Sequence, residues 1–303
     1  MAMLAALMAV TLLTVLVMDF AYSATAGYRA AANQMNELRA DYLARSGIQV
    51  GLGLLAQDAR NDALSKTPYD GLDEMWASPF PPLPVGGGTA SVTIVDETRK
   101  LNINQLINAN NGSPNATFAA TLARLFELIN VNPEIVPALI DWIDPDSSLT
   151  QGGAESDYYL GLMPPYEPRN GPIPTIADLK MVRGVDDQTF IRLAQFLTAA
   201  PDTKVNINTA PPEVLMALMP QLANQPQMLQ AILGSRPYHS SSDFSKIPGF
   251  SALTKGATNS FTTQSDYFTI TGTGTFAGAR TFAYATVRRN GVGPMLLSYW
   301  HED

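Results

Sequence analysis

The amino-acid sequence predicts an α+β chain, in which a helical domain is inserted into a smaller unit made of a long helix and an antiparallel sheet. Three observations carry this. The first sixty or so residues read as continuous helix. One β-branched strand precedes a block of helical segments cut by Pro, Asn and Gly, and three strands follow that block.

The N-terminal helix begins with the strongest signal in the chain. Met1 to Met18 carries no charge, and apart from Thr11 and Thr14 every residue is apolar. The run continues past Asp19 to Gly27, and the first basic residue is Arg29. About 20 apolar residues at 1.5 Å each span a bilayer, so residues 1–27 are predicted to form a transmembrane helix. A cleaved secretory signal would carry a basic segment before its apolar run, and none is present. Residues 29–60 contain no proline. Ala31, Met35, Leu38 and Tyr42, then Leu52 and Leu55, recur at helical spacing. Span and amphipathic stretch therefore predict one rod ending near residue 60.

Residues 68–88 are rich in Pro and Gly and predict a linker. Thr89–Val95 alternates and is β-branched, which predicts a strand, followed by a charged turn over 96–100. Residues 103–256 predict short helices. Asp266–Thr275, Thr281–Arg288 and Met295–Trp300 predict strands, broken by Gly272, Gly274, Gly278 and Gly291. Two echoes occur inside the helical block. Leu101-Asn102-Ile103-Asn104 returns as Val205-Asn206-Ile207-Asn208, and the segment around Gly184 returns around Gly249 as helix, Gly turn, helix.

Composition removes several function classes. The 303 residues carry 19 Lys+Arg against 27 Asp+Glu, a net charge of −8, which argues against a surface built for nucleic acid or anionic lipid. Without cysteine there are no disulfides, thiolate metal sites or thiol nucleophiles. The two histidines, His239 and His301, lie far apart and predict surface or capping roles.

The densest polar cluster runs from Asp141 through Asp144 and Asp146 to Glu155 and Asp157, in a loop that also holds Gly152 and Gly153. No Lys or Arg occurs between Arg124 and Arg169. Crowded carboxylates repel one another unless a cation joins them, and oxygen-rich loops suit calcium rather than zinc or copper. The spacing is not that of an EF-hand. Two readings stay open here, a calcium site and a solvated acidic loop whose aspartates cap helices. The Gly-centred hairpins also resemble elements that grip phosphate, but Asp186 and Asp187 follow the first turn and would repel it.

Taken together, the apolar start ending in Leu13-Thr14-Val15-Leu16-Val17, the Tyr42-Leu43-Ala44-Arg45-Ser46-Gly47 segment, the Asp141-Trp142-Ile143-Asp144 block with Gly153-Ala154-Glu155, Pro164-Pro165-Tyr166, and Val205-Asn206-Ile207-Asn208-Thr209-Ala210 resemble the K subunits, the large minor pseudopilins of bacterial type II secretion systems. The resemblance covers nearly the whole chain. It implies a pilin-like fold: residues 28–102 and 257–303 as the α/β domain, with residues 103–256 as the inserted helical domain. It implies a single-pass inner-membrane protein with its bulk in the periplasm, capping a filament with minor pseudopilins I and J above the major pseudopilin. It implies bound calcium, one or two ions, with Asp141, Asp144, Asp146, Glu155 and Asp157 as side-chain ligands. It implies no catalysis and no nucleic acid.

Two departures from the family pattern stand out. Pilin-like precursors begin with a basic leader ending in Gly that a prepilin peptidase removes; none appears here, so the numbering starts either at the mature end or within a truncated start. Most pilin-like subunits carry Glu at mature position 5, where this numbering has Ala5, as K subunits do. A Glu there would pair with the amino terminus of the subunit beneath, so its absence suits a filament tip. Two rival readings remain at this level: a membrane-tethered DNA-uptake protein using the hairpins, and a membrane-anchored hydrolase using the carboxylate block.

Overall fold

The computed structural model describes residues 1–201, 204–247, 249–250, 260–290 and 293–302. Helix α1 (Ala2–Leu64) runs unbroken for 63 residues, a rod of about 95 Å. No residue of α1 before Ala40 is buried. Among the described residues α1 is the one helix long and apolar enough to cross a membrane. Its second half buries Ala40, Ala44, Ile48, Gly51 and Leu55, a stripe at three- and four-residue steps.

The strands, in chain order, are β1 (Leu83–Val85), β2 (Gly88–Asp96), β3 (Leu101–Asn102), β4 (Leu197–Thr198), β5 (Val205–Asn206), β6 (Phe261–Thr262), β7 (Tyr267–Phe276), β8 (Ala279–Asn290) and β9 (Gly293–Glu302). Five form one antiparallel sheet in the order β1-β2-β7-β8-β9. Strand β2 reaches across to β7, which comes 170 residues later, with Ile94 opposite Ile270. The helical part therefore leaves the sheet after β2 and returns at β7. In β2, Ala90, Val92, Ile94 and Asp96 are buried in strict alternation, the two-residue period of a sheet with one covered face. Helix α1 covers that face, where Ala44, Ile48 and Leu55 pack with Val92, Ile94, Phe268, Ile270, Ala283 and Val287.

A second core fills the helical part and gathers residues from Leu101 to Phe261. Its helices are α2 (Ala116–Leu128), α3 (Val136–Ile143), α4 (Ser156–Leu160), α5 (Asp187–Leu193), α6 (Pro212–Leu218) and α7 (Pro226–Gly234). Proline in the first turn of α3, α6 and α7 costs no hydrogen bond. The sequence echo is structural. Strand β3 pairs in parallel with β4, and β5 with β6. Asn104 donates to Ile173 O and accepts from Ile173 N at 3.0 and 2.9 Å. Asn208 does the same to Tyr238 at 2.9 and 2.7 Å. Each second Asn of the tetrad thus staples a distant peptide group. Gly184 and Gly249 both adopt positive φ, +86° and +82°, after short 3₁₀ helices. The helix expected to follow Gly249 lies largely outside the described residues.

Three expectations change. The linker at 68–88 is packed: Asp70 and Trp76 are buried, Trp76 stands edge-on to Phe268 at 5.1 Å, and β1 pairs with β2. Pro84 is tolerated because β1 is an edge strand. Met35, Leu38 and Tyr42 of the helically spaced set are exposed, while Leu55 is buried. The sheet instead takes the small-residue face of α1, because only small side chains let helix and strand backbones come close. Gly272 and Gly274 do not break β7; they lie inside it, opposite Ala283 and Thr281. Gly278 does make a turn, at φ +89°, and Gly291 lies outside the described residues.

Candidate metal centre

The acidic block is assembled at the end of α3. Asp141 lies in its last turn and is fully buried, and Asp144 is its C-cap. The chain then loops out through Asp146 and Ser148 and returns at Gly153 and Glu155, the N-cap of α4. Thr150 N–H donates to the Asp141 carboxylate at 3.1 and 3.3 Å. A Cβ on Gly153 would fall on that carboxylate, so only glycine lets the returning strand pass. Arg183 donates to Gly152 O and pins the loop from outside.

Of the five expected ligands the structure brings four together. Asp144 feels the charges of Asp146, Asp141 and Glu155; burial first, then these carboxylates, push it up to about 7. Burial, then Asp141 and Asp146, raise Glu155, against the opposing Ser156 N–H. Asp146 is exposed and held low by its hydrogen bonds to Ser148. Asp157 stands apart, exposed in the first turn of α4. Two oxygens are orphaned: Asp144 Oδ1 and Glu155 Oε1 are buried with no hydrogen-bond partner. Buried carboxylate oxygens without donors are costly, and two of them beside two further carboxylates is an arrangement a cation relieves. Among the described residues no Lys or Arg is paired with any of the four.

With divalent ions stripped, this site has a definite pH signature. Asp144 titrates near 3.8 in the unfolded chain and about 7 in the fold. The native state then binds more protons between those values, so stability falls as pH rises through that window. Metal-free parent is expected to lose stability between about pH 4 and 7, and Asp144→Asn to lose less. Parallel pH–melting curves for the two would refute this.

A different trio has the tightest geometry. Asp58, Asp70 and Glu74 have carboxylate oxygens within 4.8 Å of one another, which no three carboxylates of the acidic block achieve. Sequence reasoning missed it because its members lie in the rod and in the presumed linker. Arg289 occupies it, bonded to Asp58 and to Asp70 Oδ2 at 2.6 Å, with Asp62 at 3.5 Å. This trio already has its counter-charge. Asp96, beside it, accepts from Thr98 N, Thr209 and Ser265, and Asn206 donates to Asp70 O and Ser265 Oγ. The network joins α1, the sheet and the helical part at one buried junction.

The hairpins offer little to a phosphate. Asp186 caps α5 by accepting from Thr189 N at 2.7 Å, which occupies an N–H such a ligand would use. His239 is exposed and lies edge-on to Tyr69 at 4.6 Å.

Two family models, both described as type II secretion system (T2SS), protein K, match residues 99–202 and 205–264, together more than half of the chain. The chain is 28% identical over 254 residues to type II secretion system protein K of Pseudomonas aeruginosa, covering 81% of this chain and 75% of that one. It is also 28% identical over 245 residues to the protein of the same name from Klebsiella pneumoniae, covering 76% and 74%. Among solved structures it is similar to a chain of the GspK-GspI-GspJ complex from the enterotoxigenic Escherichia coli type 2 secretion system. The TM-score is 0.73 and the identity 22%, covering 91% of this chain and 99% of that chain.

Proposed function

Because the chain belongs to the type II secretion system protein K family, we propose that it is the minor pseudopilin that ends the pseudopilus and supports its assembly for protein export. The observation that carries this is the division of labour along α1. Its first half is apolar and uncovered, while its second half is bound to the sheet. The first half anchors the chain in the inner membrane and then packs among the helices of neighbouring subunits. The sheet and the helical part lie in the periplasm. The helical part, inserted between β2 and β7, would block a further subunit above. Partners are the minor pseudopilins I and J, by analogy with the complex named above, and the major pseudopilin below. The chain is an assembly component and runs no reaction.

The full chain in detergent, mixed with purified I and J subunits, should elute as one complex in size-exclusion chromatography with light scattering. Elution of this chain alone under all mixing ratios would defeat the tip assignment.

Calcium belongs to the same reading. Asp141, Asp144, Asp146 and Glu155 would hold it, with Asp157 available only if α4 shifts. The ion would supply positive charge to the orphaned oxygens of Asp144 and Glu155. Since no three of these carboxylates lie within 4.8 Å of one another, the loop must draw in as it binds. At 100 times the dissociation constant, binding adds about 2.7 kcal/mol, several degrees in melting midpoint. Calcium, and not magnesium, is expected to raise the midpoint of the dialysed protein, and Asp144→Ala to abolish the rise. Equal midpoints for parent and Asp144→Ala in calcium would remove the assignment.

A further inference from the structure

Arg99 and Arg236 are charged groups without counter-ions among the described residues. Arg99 sits in the turn between β2 and β3, and Arg236 in the segment that follows α7. Both side chains are half-buried, and the Nε of each is buried with no acceptor. Arg236 Nη2 donates to Ala210 O at 2.7 Å. Among the described residues neither guanidinium has a carboxylate within ion-pair distance. A short chain of hydrogen bonds places them in one region: Asn206 N–H donates to Thr98 O, next to Arg99, Ala210 N–H donates to Asn206 O, each at 2.9 Å, and Arg236 donates to Ala210 O. Burial first, with the like charge of Arg99 added, pulls Arg236 down to about 10.

Nearby acids are committed elsewhere. Glu97 is paired with Lys100 at 2.9 Å. Asp96 is taken up by Thr98, Thr209 and Ser265. Arginine cannot shed its proton at neutral pH, so both charges persist. Holding two like charges together, partly out of water, is unfavourable unless an anion bridges them. Guanidinium forks bind planar or tetrahedral oxyanions by paired N–H donors, which Arg99 and Arg236 both still offer.

We propose that Arg99 and Arg236 form an oxyanion site, which takes either a carboxylate from an acidic peptide segment or a free phosphate. The site is separate from the acidic block and does not depend on the filament role. An oxyanion held by both residues would tie the β2–β3 turn, at the edge of the sheet unit, to the segment after α7. That segment is already stapled to the helical core through Asn208 and Tyr238.

The test is calorimetric titration of the full chain in neutral detergent. The protein is dialysed free of divalent ions, without a chelator, because chelators are themselves polycarboxylates. Ionic strength is held constant with chloride. The probes are inorganic phosphate and a blocked Glu-Glu dipeptide. Saturable binding of one ion per chain is expected, weakened at least tenfold by Arg99→Gln and by Arg236→Gln. Tighter binding of the dipeptide assigns a protein segment as the natural ligand, and tighter binding of phosphate assigns the free ion. Arg99→Lys keeps charge without the fork and should bind at intermediate strength. A second readout separates the proposal from a structural role: without probe, Arg236→Gln should melt no lower than the parent, because it relieves a like-charge contact. No saturable binding of either probe to the parent, or binding by either Gln variant as tight as the parent's, overturns the proposal.

Discussion

Arg289→Met is expected to destabilise the chain by about 3–5 kcal/mol, the cost of leaving buried charges unpaired. Arg289 is 6% exposed and Asp70 is fully buried. The guanidinium bonds Asp58, Asp70 and Ser265 O and lies 3.5 Å from Asp62. Methionine matches its length and packs on Phe268, the ring that the guanidinium now covers at 5.1 Å, so no cavity confuses the result. What disappears is the charge. The deficit should also depend on pH. Burial first, then Glu74, push Asp58 up to about 7 from 3.8, against the opposing charge of Arg289. The native state therefore holds extra protons at acid pH and must release them as pH rises through that window, losing stability as it does so. Without Arg289 the carboxylates favour the protonated form still more. Urea denaturation should show the variant closest to the parent at pH 5 and furthest from it at pH 8. A deficit below about 1 kcal/mol at pH 8 would mean the junction is solvated rather than buried.

Gly274→Val is expected to cost about 3 kcal/mol or more, through overpacking against backbone that cannot move aside. A Cβ on Gly274 would strike the Ala40 carbonyl oxygen, and one on Gly272 the Ala44 carbonyl oxygen. Ala40 and Ala44 are themselves fully buried. The helix and the strand therefore meet backbone to backbone, and an isopropyl group would lever α1 off β7. Gly53→Ala is the control. Nothing lies within 4 Å of its Cβ position, on the exposed side of the same helix. Removing a mid-helix glycine there should stabilise by about 0.5–1 kcal/mol. Thermal melts followed by circular dichroism would rank the variants; Gly274→Val melting with the parent would mean the helix does not press on β7.

Local pattern carried the outline of this protein. The apolar run before Asp19 and the proline-free stretch after it are properties of consecutive residues, and α1 follows from them. The alternation in β2 and the Thr-, Tyr- and Val-rich segments of β7 and β8 are local in the same sense, and their bounds came within a few residues. So was the carboxylate crowding between Asp141 and Glu155, because the absence of Lys and Arg around it can be counted along the chain. The Asn echo, too, was visible as text before it proved to be a repeated staple.

What the sequence could not decide is which surfaces meet. The helical spacing of Met35, Leu38, Tyr42 and Leu55 did not say which of them the sheet would cover: Leu55 is buried, while around Tyr42 the sheet took the small residues Ala40 and Ala44. Closeness of approach depends on two partners at once, and Gly272 and Gly274 supply the other half from more than 200 residues away. Arg289 meets Asp58 and Asp70 across similar separations, and no spacing rule links them. That Asp157 is exposed in the first turn of α4 is likewise a matter of the fold. The single chain thus determined its elements, its long apolar helix and its acidic loop by itself, because those depend on near neighbours. Only the tertiary structure decided the buried charge junction, the helix–sheet seam and the meeting of Arg99 and Arg236, because each is a balance among groups that the fold alone brings together.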